Sequence, residues 1–194
     1  PVPLAVVVAV IAAMASFELL RASKVAHHNG MYVYTALAAA AIPLGHSLGY
    51  GSWTARVVSI LLMAALFLPA LGRYGTGSEV RFEHIIVCLF GGVGIPLFLS
   101  ALVQLKRLDN GQFYVLLPVI CAFTTDIGAY FVGVFFGKHR GITQVSPNKS
   151  LEGFVGGVLS GCLFMLVYGL LVGWAGHIEV RLSVMALYGL LGSA

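Results

Sequence analysis

Asp126 is the residue in this sequence whose position most needs a chemical explanation. It lies inside the apolar run TTDIGAYFVGVFFG, residues 124–137. An ionised aspartate at the centre of a transmembrane helix costs about 2.5–3.5 kcal/mol, so such a residue nearly always faces a protein interior or a water-filled cavity. We interpret Asp126 as a site for a cation or a polar substrate group. The alternative is a structural aspartate that is hydrogen-bonded to the Thr124 or Thr125 hydroxyl or to another helix.

Helical spacing extends this candidate site along one face of the run. Tyr130 and Gly133 follow Asp126 by one and two turns, and Ala129 lies beside them. Small residues on such a face allow a second helix or a ligand to come close. Asp126 also precedes Gly137 by eleven residues, which is about 16 Å of helix. A span that ends near Gly137 would therefore hold Asp126 about halfway along its length.

A second polar group follows in GKHRGITQVSPNKSLEG, residues 137–153. Ser146-Pro147 is typical of a helix start, with serine as the N-cap and proline in the first helical position. Exposed amides at such a start are a good receptor for phosphate. The side chains that could take part are Lys138, His139, Arg140, Ser146, Asn148, Lys149 and Glu152.

Each of these residues also has a simpler interpretation. Glu152 either balances the helix dipole or shares a divalent cation with the substrate. The basic residues, taken alone, equally fit topology determinants or contacts to lipid headgroups. His139 has no partner that the sequence identifies. The case for a site depends on the loop and Asp126 occurring together.

The composition places these residues in a membrane. Of 194 residues, 59% are hydrophobic and 9% are charged, whereas soluble domains carry roughly 25% charged residues. Several runs approach the roughly 20 apolar residues that cross a bilayer, and they are continuous rather than alternating, which favours helices over a barrel. We predict an all-α, polytopic membrane protein of about six to seven transmembrane helices, forming a single transmembrane domain over residues 1–194.

The hydropathy pattern predicts the position of each span. The predicted spans are 2–20, 31–48, 54–71, 84–104, 112–136 and 153–174, with a seventh starting near 182. IPLGHS (42–47) and GGVGIP (91–96) interrupt two of them, either as kinks or as loop edges. Because the chain starts without Met and ends within an apolar run, we expect a fragment truncated at both ends.

Charge predicts orientation and excludes several functions. The loops after the first, third and fifth spans carry seven Lys and Arg residues, against four in the others. The positive-inside rule therefore places the 137–152 loop in the cytoplasm. No basic tract is interleaved with aromatic residues, so we exclude a nucleic-acid partner. The three cysteines lack the spacing of a zinc site or a disulfide framework.

The segments DIGAYFVGVFFGK and SPNKSLEGFVGG resemble the phosphatidate cytidylyltransferase family, the CDP-diacylglycerol synthases. The family pattern is Asp-x-Gly-Ala-Tyr-x-x-Gly, then Phe-Gly-Lys, then Ser-Pro-x-Lys-Thr-x-Glu-Gly. Ser150 stands where threonine is usual, and Leu151 replaces a residue that is often aromatic. The strong resemblance covers about residues 121–160. The most diagnostic family segment lies downstream of the point where this chain ends.

The resemblance implies transfer of CMP from CTP to phosphatidate, giving CDP-diacylglycerol and pyrophosphate. It implies Mg²⁺ or another divalent cation, a lipid bilayer, and a bacterial inner membrane as the location; a homodimer is one expected assembly. Without the downstream segment we expect no activity from the fragment alone. The implied catalytic residues are Asp126, Lys149 and Glu152, with Asp126 and Glu152 as metal ligands. The implied substrate-binding residues are Lys138, Ser146, Asn148 and Tyr130.

Two other functions fit a membrane chain with a buried carboxylate. A transporter or ion pathway would use Asp126 as an ion site between broken helices. It predicts further ionisable residues within other spans, or two repeated halves, and the sequence shows neither. A non-catalytic scaffold predicts that Asp126 and Lys149 can both be neutralised without consequence.

Overall fold

The computed structural model describes residues 2–25, 30–76, 80–141, 149–176 and 179–193. In these ranges the secondary structure is helical without strands, apart from one isolated antiparallel bridge between Arg140 and Ser150. The helices are α1 Val2–Ala22, α2 Met31–Ser47, α3 Gly51–Gly72, α4 Phe82–Leu89, α5 Ile95–Leu105, α6 Gly111–Tyr114, α7 Leu116–Phe136, α8 Leu151–Gly176 and α9 Leu182–Ser193, with a π-helical segment Phe90–Gly94 between α4 and α5. The predicted all-α class is confirmed.

Each predicted span corresponds to a helix. Five helical runs are long and apolar enough to cross a membrane: Val2–Ala22, Gly51–Gly72, Phe82–Leu105, Gly111–Phe136 and Leu151–Gly176. The second and seventh predicted spans are the shorter helices α2 and α9. Large apolar side chains point outward, and Phe98 and Trp174 are 77% and 80% exposed. Such exposure is favourable against lipid tails and costly in water, as expected for a polytopic membrane protein.

The described contacts divide the chain into two compact units, Pro1–Gly111 and Gln112–Ala194. In the first unit, α1 packs on α2 and α5, and α2 packs on α3, α5 and the π-helical segment. Its larger core cluster contains Leu20, Val25, Met31, Ala38, Leu62, Leu66, Ile85 and Cys88. In the second unit, α8 packs against both α7 and α9. The expected single domain over residues 1–194 stays a prediction.

The two predicted interruptions have different outcomes. At 42–47 the helix does not break, because α2 continues through Pro43 to Ser47. At 91–96 the chain forms the π-helical segment, and Pro96 begins the next turn. Gly92 is pressed against the Leu62 side chain, so a Cβ would overlap it. The Gly and Pro residues therefore widen one turn of a continuous helical run, which brings α4 and α5 close to α1–α3.

Ser16 of α1 compensates for the irregular backbone of this π-helical segment. Its hydroxyl is buried and lies 2.6 Å from the carbonyl oxygen of Gly91 and 2.7 Å from that of Ala12. Backbone carbonyls within hydrocarbon need an internal donor, and a serine on a neighbouring helix can supply one.

Ser16→Ala should therefore destabilise the first unit. Loss of a buried donor to an otherwise underused carbonyl costs about 1–2 kcal/mol, which thermal unfolding of the protein in detergent would detect as a lower midpoint. The matched control is Ser59→Ala, because Ser59 donates only to Ala55 of its own helix. Equal midpoints for the two variants would contradict the bridging role of Ser16.

Candidate functional site

The C-terminal unit is built on a very close contact between α7 and α8. A Cβ on Gly128 would overlap the Ser160 hydroxyl, and one on Gly156 would overlap the Val132 side chain. A Cβ on Gly157 would lie 3.1 Å from the Ala129 Cβ. Glycine at these positions lets the two backbones approach. Ala129 and Gly133, which were predicted on the same face as Asp126, lie against α8, whereas Asp126 is exposed. Ser160 also donates a 2.9 Å hydrogen bond to the Thr124 carbonyl across the contact.

Asp126 lies ten residues from each end of α7, which is about 15 Å of helix on either side. The predicted mid-span position is therefore confirmed. Its side chain is exposed, as is that of Tyr130 one turn later. Within the described part of the chain, the Asp126 carboxylate has no hydrogen-bond or ion-pair partner.

The threonines beside Asp126 do not satisfy its carboxylate. Thr124 donates to the carbonyls of Ile120 and Cys121 in its own helix. The Thr125 hydroxyl is buried, and a Cβ on Gly161 of α8 would lie 2.7 Å from it. The structural alternative, in which a threonine hydroxyl holds the carboxylate, is therefore not supported.

Ser150 caps α8 in a pocket of glycines. Its hydroxyl accepts a 3.1 Å hydrogen bond from the Gly153 N–H, which is the usual geometry of a serine N-cap. Ser150 is only 4% exposed. A Cβ on Gly137 would lie 2.7 Å from its oxygen, and one on Gly153 would lie 3.0 Å from it. The glycines at the end of α7 and the start of α8 thus leave room for this cap.

The helix start differs from the predicted one. The helix α8 begins at Leu151, so Lys149 precedes it instead of lying in its first turn. Ser146, Pro147 and Asn148 lie outside the described residues. At the observed start, the Leu151 N–H donates to the His139 carbonyl at 3.0 Å, and the Gly153 N–H is used by Ser150. These two amides are therefore not open to a phosphate.

Glu152 has several donors around its carboxylate. The N–H of Lys138 lies 3.2 Å from Oε2, and the N–H of His139 lies 3.3 and 3.2 Å from Oε1 and Oε2. The His139 ring nitrogen Nδ1 lies 2.6 Å from Oε1. Since a carboxylate only accepts, Nδ1 carries the proton in this contact. His139, which had no partner in the sequence, is therefore the partner of Glu152.

The cations of the loop are left available. Lys138, Arg140 and Lys149 are exposed, and no described residue forms an ion pair or hydrogen bond with their side chains. The Arg140–Ser150 bridge and the Leu151–His139 hydrogen bond hold the two described ends of the loop side by side. The result is a basic surface at one end of α7 and α8.

The two predicted metal ligands are not brought together. Gly133 of α7 lies beside Gly153 of α8, the neighbour of Glu152. Asp126 precedes Gly133 by seven residues, so along the helix axis it lies about 10 Å from Glu152. Carboxylates that share an ion must each place an oxygen about 2.0–2.6 Å from it. No group of three potential ligands occurs among the described residues. These residues therefore do not form a complete divalent-cation site.

The sequence interpretation did not predict the observed structural roles of Ser150, which caps α8, and Arg140, which forms the bridge with Ser150. Ser150 was predicted only as a substitute for threonine, and Arg140 only as one of several loop cations. A serine at the start of an apolar run, with an acidic residue two positions later, is itself an N-cap signal, but Ser146-Pro147 offers a competing one four residues earlier. The link from His139 to Glu152 spans thirteen residues, and no local pattern indicates it.

Comparisons with known proteins relate the chain to one family. The model of the cytidylyltransferase family matches residues 1–194. A phosphatidate cytidylyltransferase from Mycobacterium bovis is 33% identical over 118 residues, which cover 60% of this chain and 36% of that protein. One from Staphylococcus haemolyticus is 29% identical over 191 residues, 94% of this chain and 70% of that protein. The chain thus spans about a third of the mycobacterial relative.

Gly128→Ala tests whether the α7–α8 contact is as close as described. The added methyl group would collide with Ser160, and overpacking of this kind costs about 1–3 kcal/mol. The thermal midpoint in detergent should fall, and the double variant Gly128→Ala, Ser160→Gly should recover part of the loss. Gly72→Ala is the control, since a Cβ there meets nothing within 4 Å. A Gly128→Ala protein with the wild-type midpoint would show that the helices are further apart.

Proposed function

Because the chain belongs to the cytidylyltransferase family, we propose that it takes part in transfer of CMP from CTP to phosphatidate. A phosphatidate phosphate oxygen forms a bond to the α-phosphorus of CTP, the bond from that phosphorus to the β-phosphate oxygen breaks, and pyrophosphate leaves. The products are CDP-diacylglycerol and pyrophosphate. The names of the relatives from Mycobacterium bovis and Staphylococcus haemolyticus support this choice of acceptor.

One observation carries the proposal: a mid-membrane carboxylate and an exposed basic surface lie on the same pair of helices. Phosphatidate keeps its acyl chains in the leaflet while its headgroup must meet a water-soluble nucleotide. A polar path from the helix ends toward the membrane centre satisfies both requirements. The exposed side of α7 carries Asp126 about 15 Å and Tyr130 about 9 Å from the helix end, and the cations lie at that end.

The roles of the side chains follow from charge. Phosphoryl and nucleotidyl transfer depend mainly on positioning and on neutralising charge. Lys138 and Lys149 would bind phosphate oxygens, and Tyr130 would contact substrate beside Asp126. Ser146 and Asn148 keep their predicted substrate-binding role.

A divalent cation also stays a proposal. Asp126 would supply one carboxylate ligand, and Mg²⁺ would supply positive charge that neutralises phosphate oxygens. No step is assigned to the ion, because the described residues do not complete its site. Glu152 as a second ligand of the same ion has no geometric support. The alternative of an ion pathway through Asp126 is not supported, since the family match and the named relatives favour the transferase.

Asp126→Asn should abolish most of the cytidylyl transfer. Removal of one charged or polar stabiliser typically costs about 10²–10³ in rate, measured as CTP- and phosphatidate-dependent formation of CDP-diacylglycerol in membranes that contain the full-length protein. Asp109→Asn is the matched control, because Asp109 is the chain's other aspartate and is exposed after α5. Near-wild-type activity of Asp126→Asn at normal membrane levels would reject the assignment.

We also propose that the protein lies in a bacterial inner membrane with the 137–152 loop in the cytoplasm. The excess of Lys and Arg in the loops after the first, third and fifth spans supports this side. The predicted homodimer stays a prediction.

Cysteine labelling would test this orientation. Lys138→Cys should react with a membrane-impermeant thiol reagent in inside-out vesicles but not in intact cells. Asp109→Cys, in a loop predicted on the other side, should show the opposite pattern. The background is low because Cys88 and Cys121 are buried and Cys162 is half-buried. The reverse pattern at both positions would invert the orientation.

A further inference from the structure

We propose that Glu152 is a positioning residue that clamps the two ends of the 137–152 loop, and that Arg140 is a further ligand-binding residue beside Lys138 and Lys149. We use the term clamp for the Glu152 carboxylate together with its donors on Lys138 and His139. The term basic triad denotes Lys138, Arg140 and Lys149. The triad is a receptor for a polyphosphate. The identity of that ligand as the triphosphate of CTP rests on the proposed function.

The clamp joins residues that are far apart in sequence. Glu152 lies thirteen residues after His139, and both its oxygens accept hydrogen bonds from the segment that follows α7. The Leu151–His139 backbone hydrogen bond and the Arg140–Ser150 bridge lie directly beside it. Several contacts therefore act on the same closure, and the start of α8 fixes the position of the chain that leaves α7.

The choice of donors is the informative feature. Glu152 is bonded to backbone N–H groups and an imidazole, and not to the ammonium or guanidinium groups nearby. The carboxylate thus holds the backbone without using the side-chain cations. Like charges on neighbouring residues repel each other, and a neighbouring anion lowers that cost. Because no described residue occupies the hydrogen-bonding groups of the basic triad, they can bind an anionic ligand.

The triad suits a ligand with several phosphate groups. Lys138 and Arg140 come from one end of the loop and Lys149 from the other, so only a closed loop presents all three together. Arginine binds phosphate oxygens through two parallel hydrogen bonds, and lysine adds compact charges. A ligand with several phosphate groups can contact cations from both ends of the loop at once.

Clamping also accounts for Glu152 better than metal binding. A carboxylate has about four lone-pair sites, and three donors, the two backbone N–H groups and the imidazole, make four contacts with its oxygens. A metal would compete with these donors for the carboxylate.

Steady-state kinetics distinguish a clamping role of Glu152 from a role in metal binding. Glu152→Ala should raise KM for CTP about tenfold, the effect of losing roughly one charge-assisted hydrogen bond, while kcat stays within about twofold. His139→Ala should give a smaller rise, and in the Glu152→Ala background it should add nothing further. Glu152→Gln, which keeps one acceptor oxygen, should recover part of the affinity. A loss confined to kcat, or additive effects of the two substitutions, would overturn the clamp.

Arg140→Gln should raise KM for CTP without changing kcat by more than about twofold. Arg181→Gln is the matched control, because Arg181 is an exposed arginine beyond the other end of α8. Equal KM values for the two variants would show that Arg140 does not bind the ligand.

Limited proteolysis tests the clamp without any catalysis. Trypsin cleaves after lysine and arginine, so each member of the basic triad is a cleavage site. Glu152→Ala should be cut there faster than wild type, and inorganic triphosphate should protect the wild type more than the variant. Glu18→Ala is the control, since its only described partner is Arg21 in the same helix.

The outcomes distinguish the clamp and the receptor from the proposed function. Unchanged cleavage of Glu152→Ala overturns the clamp whatever the activity. Faster cleavage with no protection by triphosphate, and an unchanged KM for CTP, overturns the receptor. Membranes with the full-length protein that bind triphosphate but form no CDP-diacylglycerol would overturn the proposed function and leave the receptor supported.

Discussion

The close approach of α7 to α8 is the constraint on which the rest of the C-terminal unit depends. Lipid tails are as apolar as leucine, so helices in a membrane associate through packing and internal hydrogen bonds. Glycines on both helices supply that packing here, because a Cβ at Gly128 or Gly156 would meet the opposite helix. The Ser160 hydroxyl then reaches the Thr124 carbonyl and adds a polar link.

This packing determines which side chains remain available for chemistry. The face of α7 with Gly128, Ala129 and Gly133 is used against α8. Asp126 and Tyr130 lie on the exposed side, where a substrate or another protein surface can meet them. Farther along the same contact, the absence of side chains at Gly137 and Gly153 makes room for Ser150. One sequence of small residues thus orients the carboxylate and also shapes the helix junction.

Hydropathy made the helical class and the seven spans predictable, because crossing hydrocarbon requires long apolar runs whatever their partners. The mid-span position of Asp126 followed from the same counting. The start of α8 was not predictable in this way, since Ser146-Pro147 and Ser150 both carry capping signals and the pocket of glycines favours Ser150 as the observed cap. The partner of His139 depends on closure of the loop, which residue types alone do not specify.

Asp126 and Glu152 are chemically similar, but their hydrogen-bonding surroundings differ and so do the roles that follow. Glu152 meets His139 and backbone amides that engage both of its oxygens, and it stabilises a loop. Asp126 meets no donor in the described part of its surroundings, so its charge is available to a cation or substrate.

The pattern Lys149-Ser150-Leu151-Glu152-Gly153 can be interpreted in the same terms. Ser150 caps, Glu152 clamps and Gly153 admits the opposite helix. Lys149 is the one polar side chain of the five that has no partner among the described residues, so most of this motif shapes the surface on which that lysine lies.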